Sequence, residues 1–262
     1  MKRMNAAHTL QNRHAVVTGG GQGIGAAIAR RLVALGANVT VVGRTLKTVQ
    51  ALASEQPDQL HAVSADVSDA QQVQAAFASA RQRFGAVSIL VNNAGQASSA
   101  PFLKTDAVLW NQMLAVNLTG TLLCTQAAVP DMLAGGWGRV VNIASTAGLA
   151  GYAYVAAYCA AKHGVIGLTR ALALEFAKKG LTVNAVCPGY TETDIVRDSI
   201  ANVMAKTGRT EAQARAEFTA GNPQGRLVQA EEVADTVVWL CGPAASAITG
   251  QSIAVCGGEL MP

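Results

Sequence analysis

Charge and aromatic surface are both scarce in this chain. Of its 262 residues, 14% are charged and 5% are aromatic. With 20 basic residues against 16 acidic ones, the net charge is only +4 and forms no concentrated basic field, which argues against a nucleic-acid partner. Cysteine is nearly absent as a structural device. The five thiols at 124, 159, 187, 241 and 256 are odd in number, far apart and contain no C-x-x-C pair. Neither a disulfide framework nor a metal site reads out, and reduced thiols in a cytoplasmic protein are expected. Nor is there an unbroken apolar run of about 18 residues, so no membrane span is predicted. After Lys2 and Arg3, the stretch from Asn5 to His14 is polar and supplies no apolar core for a secretory leader.

What the chain does have is apolar residues, half of the total, and 26 glycines. That is material for one large core, with many close backbone approaches, and it argues against disorder. Short, mostly continuous apolar runs occur at Ala15–Thr18, Asn38–Val42, Leu60–Ser64, Ser88–Asn92, Arg139–Ala144, Thr182–Val186 and Ser252–Val255. Continuous runs of this length suit strands buried on both faces. Helical periodicity fills the gaps, at about 23–35, 45–55, 69–84, 106–133, 153–179 and 230–241. The alternation predicts an α/β fold: a Rossmann-like, doubly wound parallel sheet of seven strands with helices on both faces. Residues 1–13 read as an N-terminal extension and 14–262 as a single domain. One polar excursion, about 190–228, is too long for an ordinary connection and reads as a lid over a site, or else as a solvated helix pair.

The first strand runs into Thr18-Gly19-Gly20-Gly21-Gln22-Gly23-Ile24-Gly25, and an apolar-periodic helix follows. Glycines at a strand-to-helix junction let backbone approach a pyrophosphate, and the helix N-terminus offers free N–H groups and a positive dipole end. The spacing is G-x-x-x-G-x-G rather than the strict dinucleotide fingerprint. At the end of the second strand stands Gly43-Arg44-Thr45, where an acidic residue would receive a ribose 2′-hydroxyl. The guanidinium of Arg44 suits a 2′-phosphate instead, so NADP(H) is favoured over NAD(H), which stays possible.

Ser145 closes the fifth strand, and thirteen residues on, Tyr158 and Lys162 stand at i and i+4 of a helix, sharing one face. An ammonium beside a phenol favours the phenolate, so Lys162 is expected to lower the Tyr158 pKa toward the range that proton transfer to a carbonyl oxygen needs. Taken together these motifs resemble the short-chain dehydrogenase/reductase family, over about residues 14–258. Thr18–Gly25 resembles its cofactor turn and Asn92-Asn93-Ala94-Gly95 its fourth-strand motif. Asn117, Ser145, Tyr158 and Lys162 resemble its catalytic tetrad, and Pro188-Gly189 with Thr191 and Thr193 its nicotinamide segment.

The resemblance implies an oxidoreductase in which Tyr158 is the acid/base and Ser145 orients the substrate carbonyl. Lys162 would bind the nicotinamide ribose, and Asn117 would hold a water leading to solvent. It implies cofactor contacts at Gly19, Gly21, Gln22, Gly23, Ile24, Gly25, Arg44 and Thr45, and at Asp66 and Val67 around the adenine. Further contacts fall at Asn92, Ala94 and Gly95, at Tyr158 and Lys162, and at Pro188, Gly189, Thr191 and Thr193 near the carboxamide. His163 lies about 100° around the helix from Lys162 and reads as structural.

The runs Val183–Gly189 and Ala254–Gly258 are similar to those of polyketide ketoreductases, 3-oxoacyl-thioester reductases and 3-hydroxyacyl dehydrogenases. A β-keto thioester and its 3-hydroxy product are therefore the expected pair. The alternatives are another secondary alcohol (cyclic, aromatic or sugar) and a non-catalytic dinucleotide-binding protein. Gly148–Tyr154 and Gln96–Pro101 are expected to shape the substrate pocket, with Tyr152 and Tyr154 as walls. Arg197, Lys206, Arg209 and Arg215 are candidate contacts to the phosphates of a CoA or carrier-protein arm, or else a solvated face. The Ala-, Gly- and Leu-rich helices at 106–133 and 153–179 imply, by the resemblance, a homotetramer.

Overall fold

The computed structural model describes residues 10–261, except the side chain of Ile195. Residues 1–9 of the expected N-terminal extension, with Lys2 and Arg3, lie outside the described residues. Leu10 belongs to the folded unit: its side chain is buried in the core, and its amide donates to Leu35 O at 3.0 Å.

Seven parallel strands make one sheet in the order β3-β2-β1-β4-β5-β6-β7. They are β1 (His14–Thr18), β2 (Asn38–Gly43), β3 (Leu60–Ser64), β4 (Ile89–Asn92), β5 (Gly138–Ile143), β6 (Leu181–Pro188) and β7 (Ser252–Val255). Because side chains alternate along a strand, consecutive residues feed different cores. Ala15 and Val17 enter one cluster while Val16 enters the other; Ile89 and Val91 join the first, and Leu90 the second. The central strands are buried on both faces, which is why they read as unbroken apolar runs rather than as alternation.

The first core is closed by α1 (Gly23–Ala34), α2 (Leu46–Ala53) and α9 (Ala230–Cys241), through Ile28, Leu32, Leu52, Val237 and Leu240. The second is closed by α3 (Ala70–Phe84), α5 (Gly120–Ala134) and α6 (Ala156–Phe176), through Phe77, Cys124, Met132 and Phe176. Each fully buried side chain of this size contributes about 1.5–3 kcal/mol. An ion pair ties α3 to α5: Arg81 Nε donates to Asp131 Oδ2 at 2.8 Å, and the same carboxylate oxygen accepts from the Val87 amide at 2.9 Å.

The helix expected at 106–133 is present but not uniform. It runs as α4 (Ala107–Leu114), a π-helical turn over Ala115–Thr119, then α5. This is the one helical stretch among the described residues that is long and apolar enough to cross a membrane, and it lies on the sheet with Cys124, Ala128 and Met132 in the core. The polar excursion folds as α7 (Asp194–Thr207) and α8 (Glu211–Thr219) around a small core of their own, formed by Val196, Ile200, Ala214 and Leu227. Its two ends meet at a parallel bridge between Thr191 and Val228.

At the opposite end of the sheet from the strand C-termini, His14 is buried, with Nδ1 2.8 Å from Gly85 O and Nε2 3.0 Å from Thr40 Oγ1. Burial holds its imidazole below the ordinary 6.5; Asp131 pulls upward, and His61 and Arg81 push down. A folded-state pKa below the unfolded one favours the neutral ring, so this contribution to stability is present above about pH 6.5 and is lost as pH falls through the lower, folded value. The unfolding free energy is therefore expected to fall below pH 6.5. His14→Gln, which cannot titrate, should flatten that fall while lowering stability at pH 7 by about 1 kcal/mol, as read by denaturant unfolding across pH 5–8.

Candidate active site

The sheet's strand order reverses between β1 and β4, and the crevice above that point is where open α/β sheets take ligands. A cavity of about 530 Å³ opens there. One side is the glycine turn. Gly19 sits at φ +63° and Gly23 at +53°, a region that disfavours any side chain. A Cβ on Gly25 would lie 2.2 Å from Gly19 O, so only glycine lets α1 start this close under the turn. Gln22 precedes α1 in an extended conformation with no side-chain cap, and the first turn holds no acid. Its N–H groups therefore face the crevice as an anion-binding end.

A knot at the end of β4 holds the turn. Thr18 Oγ1 accepts from the amides of Asn93 and Ala94, each at 3.0 Å. Asn93 Nδ2 donates back to Thr18 O at 3.0 Å and Gly19 O at 3.1 Å. The sequence reading placed Asn92 on the cofactor, and the structure corrects this. The Asn92 side chain points away from the cavity into the core, where Nδ2 donates to Thr125 Oγ1 at 3.0 Å and Asn142 Oδ1 at 2.8 Å. Adjacent strand residues face opposite ways, and it is Asn93 that lines the crevice. Gly25 likewise packs beneath the turn and is not among the lining residues.

The other predicted contacts converge on the cavity wall. Gly19, Gly21, Gln22, Gly23, Ile24, Arg44, Thr45, Asp66, Val67, Ala94 and Gly95 form one end. Asp66 Oδ1 accepts from the Ser68 hydroxyl at 2.7 Å and the Ser68 amide at 2.9 Å, and these bonds, with a smaller pull from Arg44, hold its carboxyl below the usual range. Thr48, unforeseen from sequence, stands against Gly21. The residues present fit a dinucleotide: at Gly19, Gly21 and Gly25 a side chain would collide with Ala94, Thr48 and the turn itself, so the turn stays bare backbone toward the crevice, and the Arg44 guanidinium stands after the second strand.

The reacting end is built from β5 and α6. Ser145 follows β5 in an extended conformation; its Oγ accepts from the Ala147 amide at 3.1 Å and is hydrogen-bonded to Tyr158. Lys162, one turn below Tyr158, is 4% exposed. Its ammonium donates to Ile143 O at 2.8 Å and lies 5.6 Å from the Tyr158 ring centroid. Burial brings Lys162 down to about 8. Lys162 was expected to depress Tyr158, but the balance runs the other way. Burial pushes the phenol above its ordinary value, and the group pulling it down is Ser145.

Asn117 sits inside the π-turn, a feature that often marks functional positions. Its Nδ2 donates to Gln96 O and Met113 O, both at 2.9 Å, and its Oδ1 accepts from the Gln96 amide at 3.2 Å. A Cβ on Gly95 would meet Asn117 Oδ1 at 2.8 Å and Lys162 Nζ at 3.6 Å, so these three groups share one corner.

Pro188, Gly189, Thr191 and Thr193 line the far wall. Thr193 reaches the glycine turn, its Cγ2 3.3 Å from where a Gly23 Cβ would stand. Tyr152, Tyr190, Val196 and Phe218 form an apolar, aromatic wall, Tyr190 and Phe218 meeting edge to face at 5.1 Å. Tyr154, expected beside Tyr152, instead points to solvent at φ +68° and contributes only its carbonyl, which accepts from Ala100 N at 2.8 Å. His163 is exposed, with Nδ1 2.9 Å from Cys159 O.

The excursion's arginines are already engaged. Arg197 pairs with Asp194 at 2.5 Å, Arg215 with Glu192 and Glu211, and Arg209 with Glu217. That weakens their reading as phosphate contacts.

Comparison with known proteins gives a consistent result. A family model described as short chain dehydrogenase matches residues 13–203. The chain is 42% identical to the granaticin polyketide synthase putative ketoacyl reductase 1 of Streptomyces violaceoruber, over 93% of this chain and 92% of that protein. It is 38% identical to the D-beta-hydroxybutyrate dehydrogenase of Rhizobium meliloti, over 93% of this chain and 97% of the other. Among solved structures, a variant of actinorhodin polyketide ketoreductase with NADPH superposes with a TM-score of 0.90 at 39% identity, covering 94% of this chain and 97% of that one.

The Asn92 correction has a measurable consequence. Asn92→Ala should cost about 1–3 kcal/mol of stability, because the buried acceptors Thr125 Oγ1 and Asn142 Oδ1 lose the donor they share. It should leave the dinucleotide KM unchanged, as read by denaturant unfolding and steady-state kinetics.

Proposed function

The chain belongs to the short-chain dehydrogenase family and is an oxidoreductase of that family, and from this we propose that it is an NADP(H)-dependent ketoreductase acting on a β-keto thioester or related β-keto compound. The observation that carries the reading is the convergence, at one end of the crevice, of the Tyr158 phenol, the Ser145 hydroxyl and the buried Lys162 ammonium. The relatives named as ketoacyl reductases and the NADPH in the neighbour's structure support it. So does Arg44, which lines the other end where an acid would favour a free 2′-hydroxyl.

When bound, the nicotinamide supplies or accepts the hydride. Ser145 and Tyr158 hold the carbonyl oxygen between two hydroxyls as charge develops on it. A phenol that burial keeps above its ordinary pKa enters the reaction protonated, so Tyr158 acts as the acid in reduction, transferring its proton to that oxygen, and as the base in the reverse direction. Lys162 would hold the ribose hydroxyls, and its positive charge stabilises the phenolate as it forms. Asn117 positions the Gln96 backbone beside Lys162 and marks the solvent route. Asp66 and the Val67 backbone would meet the adenine, and Thr193 the carboxamide. Residues 190–228 serve as the lid.

The aromatic wall of Tyr152, Tyr190 and Phe218 favours a second reading within the same chemistry, a cyclic or aromatic ketone or alcohol. Assembly as a cytoplasmic homotetramer is part of the proposal; exposed Val108 on α4 and Leu174 on α6 give apolar surface for a partner copy.

The deciding experiment is a nicotinamide absorbance assay over β-keto thioesters and cyclic ketones, run with each dinucleotide. Tyr158→Phe should abolish turnover, by at least about a thousandfold, with dinucleotide binding retained. Retained turnover would remove Tyr158 from the mechanism. Arg44→Asp should shift preference from NADPH toward NADH by more than tenfold in kcat/KM, at a cost of about 1.4 kcal/mol per decade; undiminished NADPH selectivity would show that Arg44 does not read the phosphate.

A further inference from the structure

The aromatic wall is backed by a carboxylate that the mechanism does not use. After β7 the chain turns back through Gly257 and Gly258, at φ +63° and +92°, and delivers Glu259 behind the crevice. The Tyr152 hydroxyl donates to Glu259 Oε1 at 2.5 Å. Glu259 Oε2 lies 2.8 Å from where a Gly189 Cβ would stand, and Glu259 Oε1 lies 3.6 Å from the corresponding point on Gly221. The carboxylate is thus wedged between the root of the lid, its far end and Tyr152, and two of those three, Tyr152 and Gly189, line the cavity. A side chain on Gly189 would crowd it.

Its electrostatic isolation is the second observation. Asp194 also lines the crevice, but it is paired with Arg197. Glu192 is paired with Arg215 and Arg197. Among the described residues no ion pair reaches Glu259, and the ammonium of Lys162 is held at the reacting end by Ile143 O. Burial, first, holds both Tyr152 and Tyr190, two wall residues, above the ordinary phenol range, and Glu259 adds to the rise at each. In a crevice partly shielded from water, an unpaired charge acts over a longer distance than it does in bulk solvent.

We infer that Glu259, acting through Tyr152, is a specificity-determining residue that makes the substrate end of the crevice accept neutral ketones, such as esters and thioesters, and reject the corresponding free keto acids. Selection comes from repulsion of the wrong substrate rather than from added contact with the right one. The inference rests on the reading of the Tyr152–Tyr190–Phe218 wall as the ketone side of the crevice. Glu259 is a positioning residue here: it touches Tyr152 and the lid root, not the reacting atoms.

The test uses two ester/acid pairs, ethyl acetoacetate with acetoacetate and methyl levulinate with levulinate. Binding to the full-length enzyme–NADPH complex is followed by the fluorescence of the bound coenzyme, beside kcat and KM for reduction. Each ester is expected to bind at least tenfold more tightly than its acid, with the difference in KM rather than kcat. Glu259→Gln should bring the ratio close to one by tightening the acid, and Glu259→Asp, which keeps the charge, should preserve the discrimination. Equal binding of ester and acid by the wild type, or an unchanged ratio in Glu259→Gln, overturns the inference. If Glu259→Gln does not fold, salt decides on the wild type. Raising it from about 20 to 500 mM screens charge and should narrow the ratio; a ratio indifferent to salt overturns the inference. Discrimination on the levulinate pair without turnover of the acetoacetate ester supports the charge selection while counting against the β-keto reading.

Discussion

The arrangement depends on one buried cation. Lys162 is enclosed by protein, paired with no carboxylate among the described residues, and the main-chain carbonyl of Ile143 at the end of β5 accepts its hydrogen bond. An ammonium in such a place is costly unless hydrogen-bonded, and the cost appears as a pKa brought down to about 8. The neighbourhood is organised around it: β5 ends where its carbonyl can reach, the π-turn brings Asn117 to the same corner, and Gly95 leaves the space that a side chain would fill. Tyr158 rides the same helix one turn away, so the position of the ammonium also fixes the position of the phenol.

Much of this was legible in the residues alone. Doubly buried strands announce themselves as unbroken apolar runs, and a glycine cluster at a strand-to-helix junction has few other uses. A Tyr and a Lys four apart on a helix must share a face. The misreadings fall where two adjacent candidates differ only in direction. Asn92 and Asn93 are chemically identical, and which one faces the crevice depends on the last residue of β4, a boundary that composition does not mark. Tyr152 and Tyr154 differ in the same way, decided by a loop in which Tyr154 takes a left-handed conformation. Phenol and ammonium taken as a pair give the opposite sign for the Tyr158 shift, because burial, a property of the whole packing, is the larger influence.

Other features left no local signal. The π-turn has no propensity signature, and the sequence offered only a longer apolar helix. The partners of the lid arginines lie near in the fold but, for Glu192 and Arg215, 23 residues apart in the chain. Glu259 lies 107 residues from the tyrosine it holds and reaches it only because β7 ends beside β6. The crevice that results is charged differently at its two ends, a guanidinium at the end suited to phosphate and a carboxylate behind the wall that would face a ketone.

The buried amide ladder that claims Asn92 does not stop there. Asn142 passes the chain of hydrogen bonds on to the Thr169 hydroxyl, at 2.8 Å. Thr169 stands on α6 seven residues beyond Lys162, about two turns along the same rod. Sliding that rod along the sheet by a single residue would uncouple the rung and leave polar atoms stranded in a dry layer. The ladder therefore works as a gauge block: it sets from below, and at a distance, the height at which the phenol and the ammonium stand above the floor of the crevice.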